Sequence, residues 1–410
     1  MTDAIKARDA KDVEQAVQWA LAEGKTLELI GAGSKRAIGR PSQTDISLDL
    51  SGLSGILLYE PQELVLSAKA GTPLAEIEAS VASKGQQLAF EPMDCGPILG
   101  RSSAAATLGG TLAANLSGPR RIKAGAARDH FLGFTAVSGR GELFKSGGRV
   151  VKNVTGYDLC KLMAGSWGTL AAMTEVTIKT LPAPETEETV LLRALAPEKA
   201  IAAMTAAMAS GSDVSGAAHL PRGVAARIPV REIAGAADAV TALRLEGFAP
   251  SVAHRTRSLE MLLKSFGEAE RAGPVASRAL WRAVRDVATF ASGADGTQRP
   301  LWRISTVASR GAELAAAVAK ELNAEVLFDW SGGLLWLSLG ETEDAGAAVI
   351  GRAVAAIGGH ATLMRASGAV RAAVAVFSAQ DPALAALTRR VKEGFDPKRV
   401  LNPGRMWAGV

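Results

Sequence analysis

The residues with which this chain could do chemistry are few and widely spaced. Its four histidines, His130, His219, His254 and His360, stand at no ligand spacing to one another, so the sequence offers no metal site. Two cysteines, Cys95 and Cys160, exclude a disulfide framework and a cysteine-held iron–sulfur cluster, which needs about four thiolates. Arg303 and Arg365 fall on expected strands and could clamp a carboxylate; a solvated or subunit-facing role accounts for them as simply. What the chain holds in abundance is bare backbone. GAGSKR (31–36) follows the short apolar run Thr26–Ile30. In that layout successive N–H groups can converge on phosphate, and the same residues also suit a plain tight turn. It matches neither the Rossmann fingerprint nor the P-loop. A second stretch, 102–118, consists of Ser, Ala, Gly, Thr, Leu and Asn. Such a backbone admits a large flat ligand at van der Waals distance and keeps its N–H groups free to donate. The two stretches together predict a cradle for a bulky cofactor carrying an aromatic plate and phosphates.

Regular elements must position these stretches. Asp12–Glu23 reads as an amphipathic helix, with Val13, Ala16, Val17, Ala20 and Leu21 on one face and Gly24 behind it. Short strands are expected at Ser47–Leu50, Ile56–Tyr59 and Leu64–Lys69. A helix follows, with Thr72 as N-cap, Pro73 at its first position and a buried stripe of Leu74, Ile77 and Val81. From Val150 to Ile178 the chain alternates as a sheet should. PAPETEE after residue 181 reads as a linker and domain boundary. Beyond it, Val190–Leu195, Leu301–Thr306 and Glu325–Leu339 read as strands, the last a hairpin turning at Ser331–Gly333. Helices are expected at Ser258–Phe266 and Ala312–Leu322. This second region reads as an α+β domain of antiparallel strands with helices on one face. Asp381-Pro382 and Asp396-Pro397 are N-cap and N1 pairs, and Asn402-Pro403-Gly404 breaks the chain.

At 410 residues the chain is long enough for two domains, and at 48% hydrophobic it is globular rather than disordered. No apolar run approaches the roughly 20 residues of a membrane helix, and MTDAIKARDAKDVEQ has no signal-peptide apolar region. A cytoplasmic location is expected, with peripheral contact at the inner membrane through a partner left open. The formal charge of +5 is scattered and aromatics are 5% of residues, so nucleic-acid binding is not expected. A mild positive field suits anionic ligands.

GAGSKR, LGGTLAANLSGPRR, GGRVVKNVTGYDLCKLMAGSWGTLAAMTEVTIKTLP and the closing FDPKRVLNPGRM, in this order, resemble FAD-binding flavoproteins of the vanillyl-alcohol-oxidase (PCMH) type. The resemblance covers residues 1–182 and about the last thirty. It implies an α+β fold: an FAD-binding domain of two α+β subdomains (1–182), an α+β cap or partner-facing domain (183–380) and a C-terminal segment returning to the FAD domain (381–410). Within that family, the short length and the stretches LWRIST, FDWSGGLLWL and GGHATLMRA are most similar to the FAD-binding accessory subunits of bacterial glycolate oxidases.

The resemblance also implies roles. Gly31, Gly33, Ser34 and Lys35 would wrap the FAD pyrophosphate. The segment 91–94, with Pro92 and Met93, and the segment 108–115, with Gly109, Gly110, Thr111 and Asn115, would pass the ribityl chain and flavin. Ser117, Gly118, Arg120, Arg128 and Asp129 would line the same cleft, and Gly168 and Met173 would lie against the adenine. Asn153, Tyr157 and Asp158 would support a strand-to-helix turn. Relatives that oxidise D-2-hydroxy acids are expected to carry a His-x6-His metal pair, a Glu and a further His, and this chain departs from that pattern. His360 reads as a packing or hydrogen-bonding residue before a base, His130 as structural, and His219 and His254 as surface or interface residues. Position 35 is Lys, which does not tether flavin. Cys95 reads as a buried thiol before a tether, and Cys160 as a small core residue. Trp302, Trp330 and Trp336 read as core or partner interface. The expected protein is a noncovalent FAD subunit of a complex oxidising glycolate, a small 2-hydroxy acid. Its partners would be a related FAD-containing catalytic subunit and an iron–sulfur subunit. A self-sufficient oxidoreductase of a sugar lactone or hydroxy acid, or a scaffold without a redox role, are the alternatives. No catalytic residue is assigned.

Overall fold

The computed structural model describes residues 4–103, 105–149, 156–235, 238–293 and 298–410. Its N-terminal part opens on a three-stranded parallel sheet in the order Ala4–Lys6, Ile46–Asp49, Leu27–Ile30. The helix Ala10–Ala22 starts where the Asp9 carboxylate accepts from the Asp12 N–H at 2.9 Å. It buries Val13, Ala16, Val17 and Ala20, an i, i+3, i+4 stripe. A five-stranded antiparallel sheet follows in the order Ile56–Glu60, Val65–Lys69, Ala171–Lys179, Phe131–Ser138, Leu143–Gly147.

Two local expectations fail here for identifiable reasons. Thr72 does not cap the helix Leu74–Ala82. Its hydroxyl donates to the Lys69 carbonyl at 2.7 Å and accepts from the Gly55 N–H at 3.0 Å, and Pro73 occupies the cap position. Nor does Val150–Ile178 run on as sheet. Residues 150–155, Asn153 among them, lie outside the described residues. Asp158 then caps the helix Leu159–Met163 by accepting from the Lys161 N–H, and strand returns only at Ala171–Lys179.

The second region is built on an eight-stranded sheet. Its order is Ala269–Ala272, Thr186–Arg193, Val240–Gly247, Gly216–Leu220, Ala324–Asp329, Leu334–Leu339, Leu301–Ser305, His360–Arg365, and every pairing is antiparallel. The expected hairpin turns at Trp330–Gly332. The helix expected from Ser258 runs instead over Ala249–Leu263, because Pro250 fits its first turn. His219 is not a surface residue. Its strand has sheet on both sides and all five of its residues are buried. The ring accepts or donates at 2.9 Å to the Thr241 hydroxyl and lies 5.8 Å from Phe328.

The C-terminal helix Pro382–Phe395 is capped by the Asp381 carboxylate, and Leu401 then pairs in parallel with Leu27. The chain's last residues therefore complete its first sheet. Lys392 locks this return: its buried Nζ donates to Asp396 at 2.7 Å and to the carbonyls of Thr169 and Leu401 at 2.6 and 2.9 Å. Ile38, Met93, Cys95, Ile98, Leu99, Ala114, Leu116 and Trp167 share one apolar core with the large sheet, so the two regions pack as a unit. Among the described residues, no helix is long and apolar enough to cross a membrane.

Candidate cofactor site

A cleft of about 790 Å³, mouth included, opens where the loop after Leu27–Ile30, the helix Leu108–Ala114 and the turn leading into Ala171–Lys179 meet. Gly31, Gly33, Ser34, Lys35, Gly109, Gly110, Gly168 and Met173 line it.

The first loop is an anion cradle by its hydrogen bonds. The N–H groups of residues 31–35 meet no acceptor among the described residues; bonding resumes with Arg36 N–H to the Gly33 carbonyl. Successive unpartnered N–H groups form a concavity that attracts phosphate oxygens. Lys35 adds a buried cation, and Glu28, the one carboxylate in the wall, is held in a bidentate pair by Arg36.

The second bare stretch behaves differently from its expected role. Over residues 108–115 its N–H groups are taken: Leu108 donates to the Thr72 carbonyl, Gly109 to Ala70, Gly110 to the Thr107 hydroxyl, and the helix Leu108–Ala114 uses those that follow. What this stretch supplies is closeness. A Cβ on Gly109 would sit 2.8 Å from the Ala70 Cβ, so the helix packs on the strand below it with no side chain between them. At Gly110, outside its own helix, the only described atom within 4 Å of such a Cβ is the Thr107 hydroxyl, and Gly110 lines the cleft.

Among the wall residues that sequence reasoning did not assign are Thr107, Trp167, Asn402 and Arg405. The last two lie in the closing LNPGRM, which was legible as a motif without revealing what it touches. Asn402 accepts from the Leu29 N–H at 2.9 Å and donates to the Trp167 carbonyl at 2.8 Å. It stitches the C-terminal return to both cleft walls. Gly168 beside it has φ +74°, and a Cβ there would lie 2.7 Å from the Asn402 amide. Arg405 donates to the carbonyls of Lys35 and Ile38 at 3.1 and 3.3 Å and stacks on Trp167 at 5.7 Å. Burial lowers its pKa to about 10.

The other expected site residues lie elsewhere. Pro92 and Met93 are buried, and Pro92 bridges to Ser117. Thr111 faces inward from the helix with no partner for its hydroxyl among the described residues. Asn115 ends that helix in the left-handed region, and its side chain accepts from the Arg128 N–H. Ser117 accepts from the Ala127 N–H, and the Gly118 carbonyl accepts from the Trp330 indole at 3.0 Å. Arg120 is bound to Glu246 across the seam with the large sheet. Arg128 and Asp129 are half exposed and pair with each other, Asp129 also meeting Lys161. Tyr157 is exposed. These positions form a seam and a rim around the cleft.

Of the two candidate carboxylate clamps, Arg365 is consumed by structure. It donates to the carbonyls of Ile98, Phe290 and Arg299, each at 2.7 Å. His130 bonds the Ala124 carbonyl and packs on Phe90, and His254 is exposed on its helix. Cys160 and Cys95 are buried thiols; burial pushes Cys95 up to about 11. Trp302, Trp330 and Trp336 are buried.

A family model described as "FAD binding domain" matches residues 4–147. Over 401 residues the chain is 33% identical to the glycolate oxidase subunit GlcE of Escherichia coli (strain K12), covering 96% of each protein. The chain belongs to the GlcE family. It is also 33% identical over 162 residues to the glycolate oxidase subunit GlcD of Bacillus subtilis (strain 168), covering 39% of this chain and 33% of that protein. In three dimensions it is similar to p-cresol methylhydroxylase, with a TM-score of 0.71 at 15% identity, covering 99% of this chain and 88% of that one. The fold is that of the PCMH-type flavoproteins, and the cofactor of this GlcE-family chain is FAD. The cleft fits it: unpartnered N–H groups and Lys35 suit the pyrophosphate, and a wall without side chains suits flat rings.

Proposed function

We propose that this GlcE-family chain is the FAD-binding subunit of a multi-subunit glycolate oxidase. The complex takes two electrons and two protons from glycolate to give glyoxylate. The hydroxy-acid oxidation occurs on a related FAD-containing partner, and an iron–sulfur partner carries electrons onward. The observation that carries this reading is the 33% identity to a glycolate oxidase subunit over 96% of both chains, combined with an intact glycine-walled cleft. FAD supplies the capacity to take up and pass on electrons. The chain's own residues bind and orient it. The loop 31–35 and Lys35 hold the pyrophosphate, and Gly109 and Gly110 let the rings lie on backbone. Gly168 and Met173 face the adenine, and Arg405, itself in the wall, braces the loop. Residues 1–182 and 381–410 form the FAD-binding body, and 183–380 the cap that meets the partners.

The FAD is held noncovalently. No residue lining the cleft is His, Cys or Tyr, and the protonated, buried Cys95 thiol is a poor nucleophile. The complex is placed in the cytoplasm, against the inner membrane through its partners.

The flavin spectrum of the chain purified alone, before and after anaerobic glycolate, tests this. Extractable FAD that glycolate does not bleach is the expected result. Bleaching would make the chain catalytic by itself. Absence of flavin, both alone and with partner chains present, would leave only a scaffold.

A further inference from the structure

Among the described residues, the fully buried arginines are bound to oxygen, and two half-buried ones are not. Arg244 meets Glu91, Glu246 and Ser215; Arg120 meets Glu91 and Glu246; Arg365 and Arg405 are fixed by carbonyls. Arg121 and Arg303 differ. Neither side chain has a hydrogen bond or ion pair to any described residue. Both guanidiniums lie instead against one indole, Arg121 at 4.2 Å and Arg303 at 5.1 Å from the Trp330 ring centre. Arg303 also lies 6.0 Å from the Trp336 ring. Arg121 comes from the segment after the bare stretch, Arg303 from the large sheet, and Trp330 is fixed between these regions by donating to the Gly118 carbonyl.

Each guanidinium carries five donors, and enclosed donors are normally satisfied. Burial and the charge of Arg121 lower Arg303 to about 10, while both side chains keep some accessible surface. An enclosed cation with surface to spare lines a recess. The groups facing this recess do not neutralise it. Burial lifts Asp329 to about 7, and its carboxylate accepts from the Trp330 N–H. Cys95 is protonated at neutral pH. His360 is lowered by burial and by the two arginines. Arg121 also feels Arg128 and Asp129, of opposite sign. Two cations therefore share an aromatic floor with too little negative charge around them.

We propose that Arg121 and Arg303, floored by Trp330, form a binding site for a small carboxylate anion at the seam between the FAD-binding body and the large sheet. A carboxylate is planar and takes the paired N–H groups of a guanidinium bidentately. The Trp330 face holds the arginines flat and in place, as guanidinium stacking does elsewhere. Glycolate and glyoxylate are the members of this ligand class that the proposed function brings to the complex, and in that respect the inference rests on that reading. Cys95 lies within electrostatic reach of both Lys35 of the cofactor cleft and Arg303.

The test is calorimetric titration of the full-length, FAD-loaded chain with glycolate, oxalate and inorganic phosphate, repeated on Arg303→Met, Arg303→Lys and Arg121→Met. Carboxylate binding is expected in the unmodified chain, weakened at least tenfold by either Met variant and partly restored by Lys at 303. Flavin content, read by absorbance, is expected to stay unchanged in all three. No carboxylate binding by the unmodified chain would overturn the proposal. So would Met variants that bind as well as the unmodified chain, or phosphate binding as tight as oxalate. Arg121→Met changes a half-buried side chain, so it serves even where a change at 303 disturbs folding. A chain that lacks flavin yet binds oxalate through both arginines would refute the FAD-subunit reading and leave this one standing.

Discussion

Glu91 and Arg244, 153 residues apart in sequence, meet in a bidentate pair with Oε1···Nη1 and Oε2···Nη2 distances of 2.8 and 3.0 Å. Glu91 occupies a left-handed turn, φ +48°, ahead of Pro92, and Arg244 belongs to the Val240–Gly247 strand. The Arg120 N–H donates to the same carboxylate at 2.5 Å, and the Arg120 side chain reaches Glu246. Two carboxylates and two guanidiniums thus alternate along the seam that joins the cofactor cleft to the large sheet. Arg244 also lies over the Trp281 ring at 4.8 Å.

Removing one member of such a cluster strands the others. Arg244→Met leaves Glu91 and Glu246 facing each other with only Arg120 between them. A buried pair broken from one side costs about 3–5 kcal/mol. Urea denaturation of the variant should show a loss of that size. A loss under about 1 kcal/mol would mean that water reaches the seam.

Two acids titrate with opposite signs. Burial opposes the ionised form of Glu246, but the charge of Arg244 and the hydrogen bond from Arg120 prevail and bring it down to about 2. Its contribution is complete above its ordinary pKa near 4.5 and is lost as pH falls toward 2. Asp329 is raised to about 7, chiefly by burial. Between its ordinary value near 3.8 and 7 the folded state holds the extra proton, so stability falls as pH rises through that window. Asp329→Asn can still accept from the Trp330 N–H and should therefore be more stable than the unmodified chain at pH 8. The two should converge below pH 4. Melting temperatures across pH 3–8 check this, and parallel curves would contradict it.

The glycine loop, the bareness of 102–118 and the closing motif could be read from the sequence because each depends on local chemistry: side chains that are missing, or caps within four residues. Asp158 and Asp381 belong with them. The pairs that hold the molecule together could not be read, because nothing near Arg120 points to Glu246 and nothing near Glu91 points to Arg244. His219 was misjudged because a central strand between two neighbours has no polar face for alternation to reveal. Free N–H groups were expected over both bare stretches, and those of 108–115 proved to be engaged, for a related reason. A run of Gly, Ala and Thr folds as readily into a helix, which consumes its donors, as into an open loop.

Arg405, in the wall of the cleft, makes the glycine loop rigid by its bonds to the Lys35 and Ile38 carbonyls. Arg405→Met keeps most of the packing on Trp167 and removes the donors. FAD affinity should fall by about tenfold or more, equivalent to ~1.4 kcal/mol, with the far-ultraviolet spectrum unchanged. Titration of the apoprotein with FAD, followed by flavin fluorescence, measures it; an unaltered dissociation constant would separate the C-terminal return from cofactor binding.

Gly110 offers the most direct occupation of the cleft. Outside its own helix, its Cβ position meets only the Thr107 hydroxyl, at 3.1 Å, among the described residues, and Gly110 lines the cleft. An indole placed there has no other direction to take and fills the space assigned to the rings. Gly110→Trp should purify without flavin while keeping its fold, since no core residue moves to admit it. Gly110→Ala adds a single methyl at the wall and should keep most of its FAD. Absorbance near the flavin maximum, set against protein concentration, reads both. Unchanged flavin in the Trp variant would take the start of the Leu108–Ala114 helix out of the site and return the pyrophosphate loop to the role of a tight turn.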